Sequence, residues 1–512
     1  MVDIVTSMSL GSAWDASVAM FGDRPWLVFL HSDGGREQYS YAEFDEQVSR
    51  AVACFTRRGI GKGTVVAMQI CNCPEFISCL LGLAKVGAIA VPVGLGMSAT
   101  ELTCLYGMCH PEWAVVEACD RDVHMQLRES SDLLPGGVLI VHGDEEGSFE
   151  AACQGVAPAP ATADVSSDDI AEIMFTSGTT ATPKGVLITH ANLVYSGHYA
   201  IWQAGLRPDD RIFTTMPACH SNFQLVALTG AIMAGAALVL SQRYSARRFW
   251  ADVRAEGGTV IQLTAMMART LLLQPPHPND AHHQVRETLY FMPLSDEEKD
   301  TFERRFAVNL MNSYGSTESI CWVVTDPPIG ERRWPSVGRA GLGYQVAIMS
   351  PSGEELPAGQ CGEFWIKGVP GRTLMAGYLN DPAATQAALT DDGWLRTSDT
   401  GYYDADGWFY FVDRARNVIK RAGENISTTE IEMVLTSHPL IKEAAVIGVP
   451  DPIRDQAVKA FIQLQDDAKL GPDDIIAYCR RHLATFKVPE FIEFVDEFPR
   501  TISMKIEKRS LS

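Results

Sequence analysis

Positive charge is in short supply in this chain. Its 512 residues carry 42 Lys+Arg against 63 Asp+Glu, a formal net charge of −21. That balance opposes nonspecific binding to nucleic acid or to an anionic membrane. Long apolar runs are lacking too. The longest, Val226 to Leu240, is too short to span a bilayer, and Cys79 to Met97 is broken by Lys85 and Pro92. No basic region followed by an apolar core opens the sequence, so no signal peptide is expected. The twelve cysteines include no Cys-x-x-Cys pair, and a chain this long does not depend on disulfide staples. Cys104, Cys109 and His110 sit in a mostly apolar helical pattern with no second ligand pair, which reads as buried thiols rather than a metal site. The expectation is a reduced, cytoplasmic protein with no nucleic-acid or membrane partner.

What is present is ordinary globular composition, 46% apolar and 21% charged, in a chain longer than one hydrophobic core usually serves. Helical and strand patterns alternate. Tyr41–Phe55 has apolar residues at helical spacing, followed by a strand at Thr64–Ile70, a helix at Glu75–Val86 and a strand at Ala88–Val93. The alternation repeats after residue 190, with strands expected at Arg211–Thr215, Ala237–Leu240, Thr259–Leu263, Leu289–Met292 and Val308–Met311. Strands separated by helices imply parallel pairing with loops gathered at one sheet edge. After Gly341 the segments shorten into a small β subdomain, and beyond Asp413–Asn417 comes a compact α+β unit. The fold class expected is α/β: a body of βα-type sheets with a β subdomain over residues 1–415, and a hinged α+β cap over 416–512.

The most informative stretch is Phe175-Thr-Ser-Gly-Thr-Thr-Ala-Thr-Pro-Lys-Gly-Val186. Thr176, Ser177, Gly178, Thr179 and Thr180 let the backbone approach an anion and offer N–H and O–H donors, while Lys184 adds a mobile positive charge. It is not a Walker A loop, because Lys184 is followed by glycine rather than Ser or Thr. Downstream, Tyr314-Gly-Ser-Thr317-Glu318 follows a strand. Glu318 suits a Mg2+ ion that bridges phosphates, and the Tyr314 ring suits stacking on a purine. Asp399, in Thr397-Ser-Asp-Thr-Gly401, is either an Asx-turn former or an acceptor for two ribose hydroxyls. His220, in Met216-Pro-Ala-Cys-His220, follows a strand, where a lone histidine is more often structural.

Taken together and in chain order, these motifs resemble the adenylate-forming superfamily of acyl-CoA ligases, luciferases and peptide-synthetase adenylation domains, across essentially the whole chain. The runs Tyr244–Trp250, Met266–Leu271, Gln274–Pro276 and Arg333–Ser336 look like the carnitine/crotonobetaine-CoA ligase branch. The resemblance implies ATP or acyl-AMP, Mg2+ and coenzyme A as cofactors. It places Arg414 on the ribose, His220 at the acyl pocket, Arg416 at the hinge, Lys420 and Gly423 in the thioester-forming pose, and Lys505 as the adenylation lysine. The acyl-pocket wall would include Phe223, Ala265, Met266, Met267, Phe291 and Met292, which suits a bulky apolar carboxylic acid. A homodimer is compatible with the resemblance, although oligomeric state is not legible.

Three departures fall on the adenylation half: Ala181 where glycine is usual, Tyr290-Phe-Met-Pro293 in place of Gly-Gly-Ala-Pro, and Met504 in place of glycine. The first two are shared by the branch. The expected reaction is ATP, acid and CoA to acyl-CoA, AMP and pyrophosphate. Three alternatives stay open: a thioester-forming ligase fed by a separate adenylating enzyme, a ligase loading a carrier protein, and a catalytically silent nucleotide-binding protein.

Overall fold

The computed structural model describes residues 8–143, 148–154, 157–158, 163–176, 183–292, 294–414, 418–421, 424–451, 455–483, 487–500 and 506–511. The chain divides into two compact units, Met1–Val346 with Ile366–Arg396, and Ala347–Trp365 with Thr397–Ser512.

The first unit holds two large sheets. One has seven strands in the order Gly377–Tyr378, Lys184–Thr189, Ile170–Thr176, Ile89–Pro92, Val65–Gln69, Trp113–Glu117 and Gly137–Val141. The last five run parallel. The other has nine strands, six of them a parallel run: Leu310–Tyr314, Glu287–Phe291, Val260–Thr264, Arg211–Thr214, Ala237–Ser241 and Pro25–Leu30. Helices supply the crossovers. Tyr41–Arg57 and Asp296–Phe306 each start on a serine whose side chain caps the first turn, reciprocated by a glutamate three residues on. The strands expected from sequence are present to within two residues at nearly every end.

Two features differ from the sequence expectation. The stretch from Phe223 opens as a π-helix, Phe223–Leu228, before turning α-helical over Thr229–Ala234; a π segment carries the same apolar composition, so periodicity does not reveal it. All twelve cysteines are free, but Cys104 is exposed while Cys109 is buried.

The second unit contains most of the four-stranded sheet Gln345–Met349, Gly362–Lys367, Trp394–Tyr403 and Phe409–Arg414. It also contains a five-stranded sheet formed by Glu424–Ser427, Val418–Arg421, Asp455–Leu464, Ile441–Asp451 and Phe491–Phe494. Helices Thr428–Thr436 and Pro472–His482 cover the latter, burying Ile431, Leu435, Ile475 and Cys479 against Val446, Val458 and Ile462. Among the described residues no helix is long and apolar enough to cross a membrane.

Candidate active site

Ligands of open α/β sheets bind beyond the carboxyl ends of parallel strands. In the nine-stranded sheet that edge collects Met216–His220 after Arg211–Thr214, Ala265–Met266 after Val260–Thr264, Phe291–Met292 at the end of Glu287–Phe291, and Tyr314–Glu318 at the end of Leu310–Tyr314. Four of the segments singled out in the sequence are therefore neighbours because their strands are neighbours.

Buried amides fix these loops. Asn72 accepts from the Ala218 amide at 2.7 Å and donates to the carbonyls of Met216 at 3.0 Å and Ser241 at 3.1 Å. Gln224 donates to the Ala218 carbonyl and Gln262 to that of Asn222, both at 2.9 Å. His220 is half-buried, and its carbonyl accepts from the amides of Phe223 and Gln224 as the π-helix begins. Thr317 donates to Ser221 at 3.5 Å, linking the glutamate loop to the histidine loop. Gly315 is required by close approach: a Cβ there would stand 2.3 Å from the Cys321 carbonyl oxygen and 2.8 Å from the Trp322 Cα.

The phosphate loop is flanked by two strands that pair antiparallel. Thr176 ends one strand, Lys184 begins the next, and the two are Cα partners. Ser177, Gly178, Thr179, Thr180 and Ala181 lie outside the described residues. The second hairpin strand pairs with Gly377–Tyr378, Tyr378 opposite Val186. Here a residue that sequence reasoning missed enters. Lys184 Nζ lies 4.5 Å from the centroid of the Tyr378 ring, and the Tyr378 hydroxyl donates to Glu318 Oε1 at 3.1 Å. Burial, reinforced by the Glu318 charge, pushes the Tyr378 phenol well above its ordinary pKa, so it remains a donor. The segment before Tyr378 is pinned from two sides. Asn192 donates to the carbonyls of Arg372 and Leu374, and the Met375 amide donates to the Glu318 carbonyl at 2.9 Å.

Of the expected acyl-pocket wall, Met266 is 53% and Met292 44% exposed, and Phe291 is half-buried against Trp322, ring centroids 5.3 Å apart. Trp322 is held by a 3.0 Å bond from its indole N–H to Asn222. Phe223 is wholly buried against Phe76, and Ala265 and Met267 are buried as well. Met292 has φ +85°, a left-handed conformation costly for a side chain of its size. Tyr314 is buried.

In the second unit, Asp399 and Arg414 are Cα partners across an antiparallel pair. Asp399 is buried, and its amide donates to Thr397 Oγ1 at 3.1 Å. Lys420 pairs with Asn425 across the Val418–Arg421 hairpin. Arg500 and Ile506 form an antiparallel bridge flanking residues 501–505. Arg416, Gly423, Met504 and Lys505 lie outside the described residues, and for Arg414 and Lys420 only the backbone is described.

A family model described as "AMP-binding enzyme" matches residues 14–379, and one described as "AMP-binding enzyme C-terminal domain" matches 430–505. The chain belongs to the AMP-binding enzyme family. A crotonobetaine/carnitine–CoA ligase of Salmonella typhi is 42% identical over 521 residues, covering all of both chains, and one of Salmonella typhimurium is 41% identical over the same span. Among solved structures, ATP-bound MatB from Rhodopseudomonas palustris superposes with a TM-score of 0.88 at 25% identity, covering 98% of each chain. The anthranilate CoA ligase AuaEII with anthranoyl-AMP gives 0.87 at 22%, covering 99% of this chain and 96% of that one, a likeness of fold. This AMP-binding enzyme is an acid–thiol ligase that forms acyl-CoA through an acyl-adenylate, as its motifs led us to expect. The three alternatives are not favoured.

Tyr378 was missed because it sits in Gly377-Tyr-Leu, a tripeptide without distinctive chemistry. Only the pairing of its strand with the hairpin gives it a role.

Proposed function

We propose that this AMP-binding enzyme carries out both half-reactions itself, joining CoA to a carboxylic acid with a bulky apolar tail. The observation that carries the adenylating half is the Lys184–Tyr378–Glu318 array: a cation over the ring and a carboxylate on the hydroxyl of one tyrosine, the cation following the hydroxyl-rich stretch directly in sequence. The acid's carboxylate attacks the α-phosphorus of ATP, while Lys184 and Lys505 neutralise charge as pyrophosphate leaves, so catalysis rests on positioning and electrostatics. Asp399 and Arg414 bind the ribose and Tyr314 the adenine side. A cap over 416–512 then turns about Arg416 and brings Lys420 and Gly423 to the acyl-adenylate, whose carbonyl the CoA thiol attacks with release of AMP.

Mg2+ fits the oxygen-only donors that Glu318 and Thr317 offer, a hard-cation set. Bound there, it would offset phosphate charge. The tail of the acid meets Phe291, Met266, Met292 and Trp322. A second reading follows from the names of the Salmonella relatives: the Phe291–Trp322 pair is also a surface on which a trimethylammonium acid binds through cation–π attraction.

The test is ATP–pyrophosphate exchange across apolar acids, carnitine and crotonobetaine, alongside CoA-dependent AMP release from synthetic acyl-adenylates. Exchange with apolar acids supports the first reading, and exchange confined to the betaines supports the second. AMP release without exchange for any acid would sink the adenylating half. Lys505→Ala should abolish exchange while sparing AMP release, and Lys420→Ala should do the reverse.

A further inference from the structure

A second cluster of reactive side chains stands on the seven-stranded sheet, away from the phosphate loop. It gathers at the carboxyl ends of three adjacent parallel strands: Cys71 and Cys73 after Val65–Gln69, Glu117 at the end of Trp113–Glu117, and His142 just after Gly137–Val141. Glu75 joins them from the first turn of the helix Pro74–Val86. Ligand atoms of Cys73, Glu75 and His142 lie within 4.8 Å of one another, as do those of Cys71, Glu117 and His142. The Cys71 thiol donates to the Asn72 carbonyl at 3.6 Å and groups with Glu117 rather than with Cys73 and Glu75, so it joins the latter set by a turn of its side chain.

The two imidazole nitrogens meet different partners. Nδ1 is 2.7 Å from Glu117 Oε1, a hydrogen bond and too short for two ligands of one ion. Nε2 is 3.4 Å from Glu75 Oε2, an oxygen that is buried and makes no hydrogen bond. Two ligands each about 2.0–2.1 Å from a tetrahedral zinc are separated by roughly 3.3 Å, which matches the second spacing. The Glu117–His142 pair then has the form of the carboxylate–histidine–metal relay that orients a metal-binding imidazole. His142 is held in a left-handed conformation, φ +58°, with its amide donating to Glu150 at 2.7 Å. Carboxylates alone would suggest only loose cation binding; two thiols and an imidazole select a softer ion.

We propose that Cys73, Glu75 and His142 Nε2, completed by Cys71, bind a thiophilic divalent cation of the zinc class. Glu117 orients the imidazole. The ion is structural, tying the first turn of Pro74–Val86 to the ends of three strands on the sheet edge that also carries the phosphate loop.

The test uses the full-length protein, stripped with chelator and titrated with Zn2+ against a chromophoric chelator, then with Co2+ by absorption. The expected results are one tight equivalent per chain, a thiolate-to-cobalt charge-transfer band, and a melting temperature that rises with Zn2+. Cys73→Ser and His142→Gln should lose the equivalent and the thermal shift, and the exposed control Cys104→Ser should keep both. Should Cys73→Ser fail to fold, Glu75→Gln and the wild-type cobalt spectrum decide. Substoichiometric zinc, a cobalt spectrum without the thiolate band, or full binding by folded His142→Gln would overturn the proposal.

Discussion

Lys184 stacks its ammonium on the ring of Tyr378, Nζ 4.5 Å from the centroid. The same ring carries the hydroxyl that binds Glu318. One tyrosine thus contacts both the lysine that follows the phosphate loop and the glutamate of the Tyr314–Glu318 segment.

Tyr378→Phe tests that role. It keeps the ring under Lys184 and removes the donor to Glu318. A hydrogen bond to a charged group contributes about 1.5–3 kcal/mol, so pyrophosphate exchange should fall roughly ten- to a hundredfold. AMP release from a preformed acyl-adenylate should change much less. Tyr378→Leu also removes the cation–π contact and should cost more. Equal losses in both half-reactions would mean that Tyr378 supports the fold rather than the adenylating array.

Gly315→Ala should damage the site through its backbone. The new methyl would meet the backbone of Cys321 and Trp322, whose atoms are not the ends of flexible side chains. The loop bearing Thr317 and Glu318 must shift, at a cost of about 1–3 kcal/mol in stability. Exchange should fall with a raised apparent Mg2+ requirement, measured by titrating Mg2+ at saturating ATP. Wild-type Mg2+ dependence in a folded variant would show that the loop absorbs the methyl.

Much of this was legible in the sequence. The order of strands and helices followed from periodicity, and a parallel sheet gathers its loops at one edge, so segments as far apart as His220 and Glu318 could be placed together. Contacts made by unremarkable residues were not legible. Asn72, Gln224 and Gln262 fix the histidine loop through amides whose partners lie on other strands. The cysteine–histidine cluster escaped because Glu117 and His142 lie far along the chain from Cys71, Cys73 and Glu75 and meet them only through strand order. Cys104 and His110, which do have suggestive spacing, are both exposed.

Trp322→Leu should separate acid recognition from nucleotide binding. Its indole packs on Phe291 and donates to Asn222. An aromatic pair contributes about 0.5–1.5 kcal/mol beyond its burial, so KM for the acid should rise roughly three- to tenfold, with KM for ATP little changed. Steady-state kinetics with each substrate varied in turn checks this. A rise confined to ATP would move Trp322 out of the acyl pocket.

Glu172 makes the stability of the body depend on pH. It lies in the strand that leads into the phosphate loop, fully buried, with neither carboxylate oxygen hydrogen-bonded. Burial raises its pKa from 4.5 to about 8. The folded state therefore holds its proton more tightly than the unfolded chain does. The resulting contribution is fully favourable below about pH 4.5 and is lost progressively up to about pH 8. At pH 7 the gap between the unfolded pKa and the solution corresponds to about 3 kcal/mol of lost stability. Glu172→Met, which fills the same space without a charge, should be more stable than the wild type near pH 8, by more than it is near pH 5, and its stability should vary less with pH. Denaturant unfolding of both proteins at about pH 5, 7 and 8 measures the difference. Parallel pH profiles would show that Glu172 finds a partner in solution and does not govern the alkaline limb.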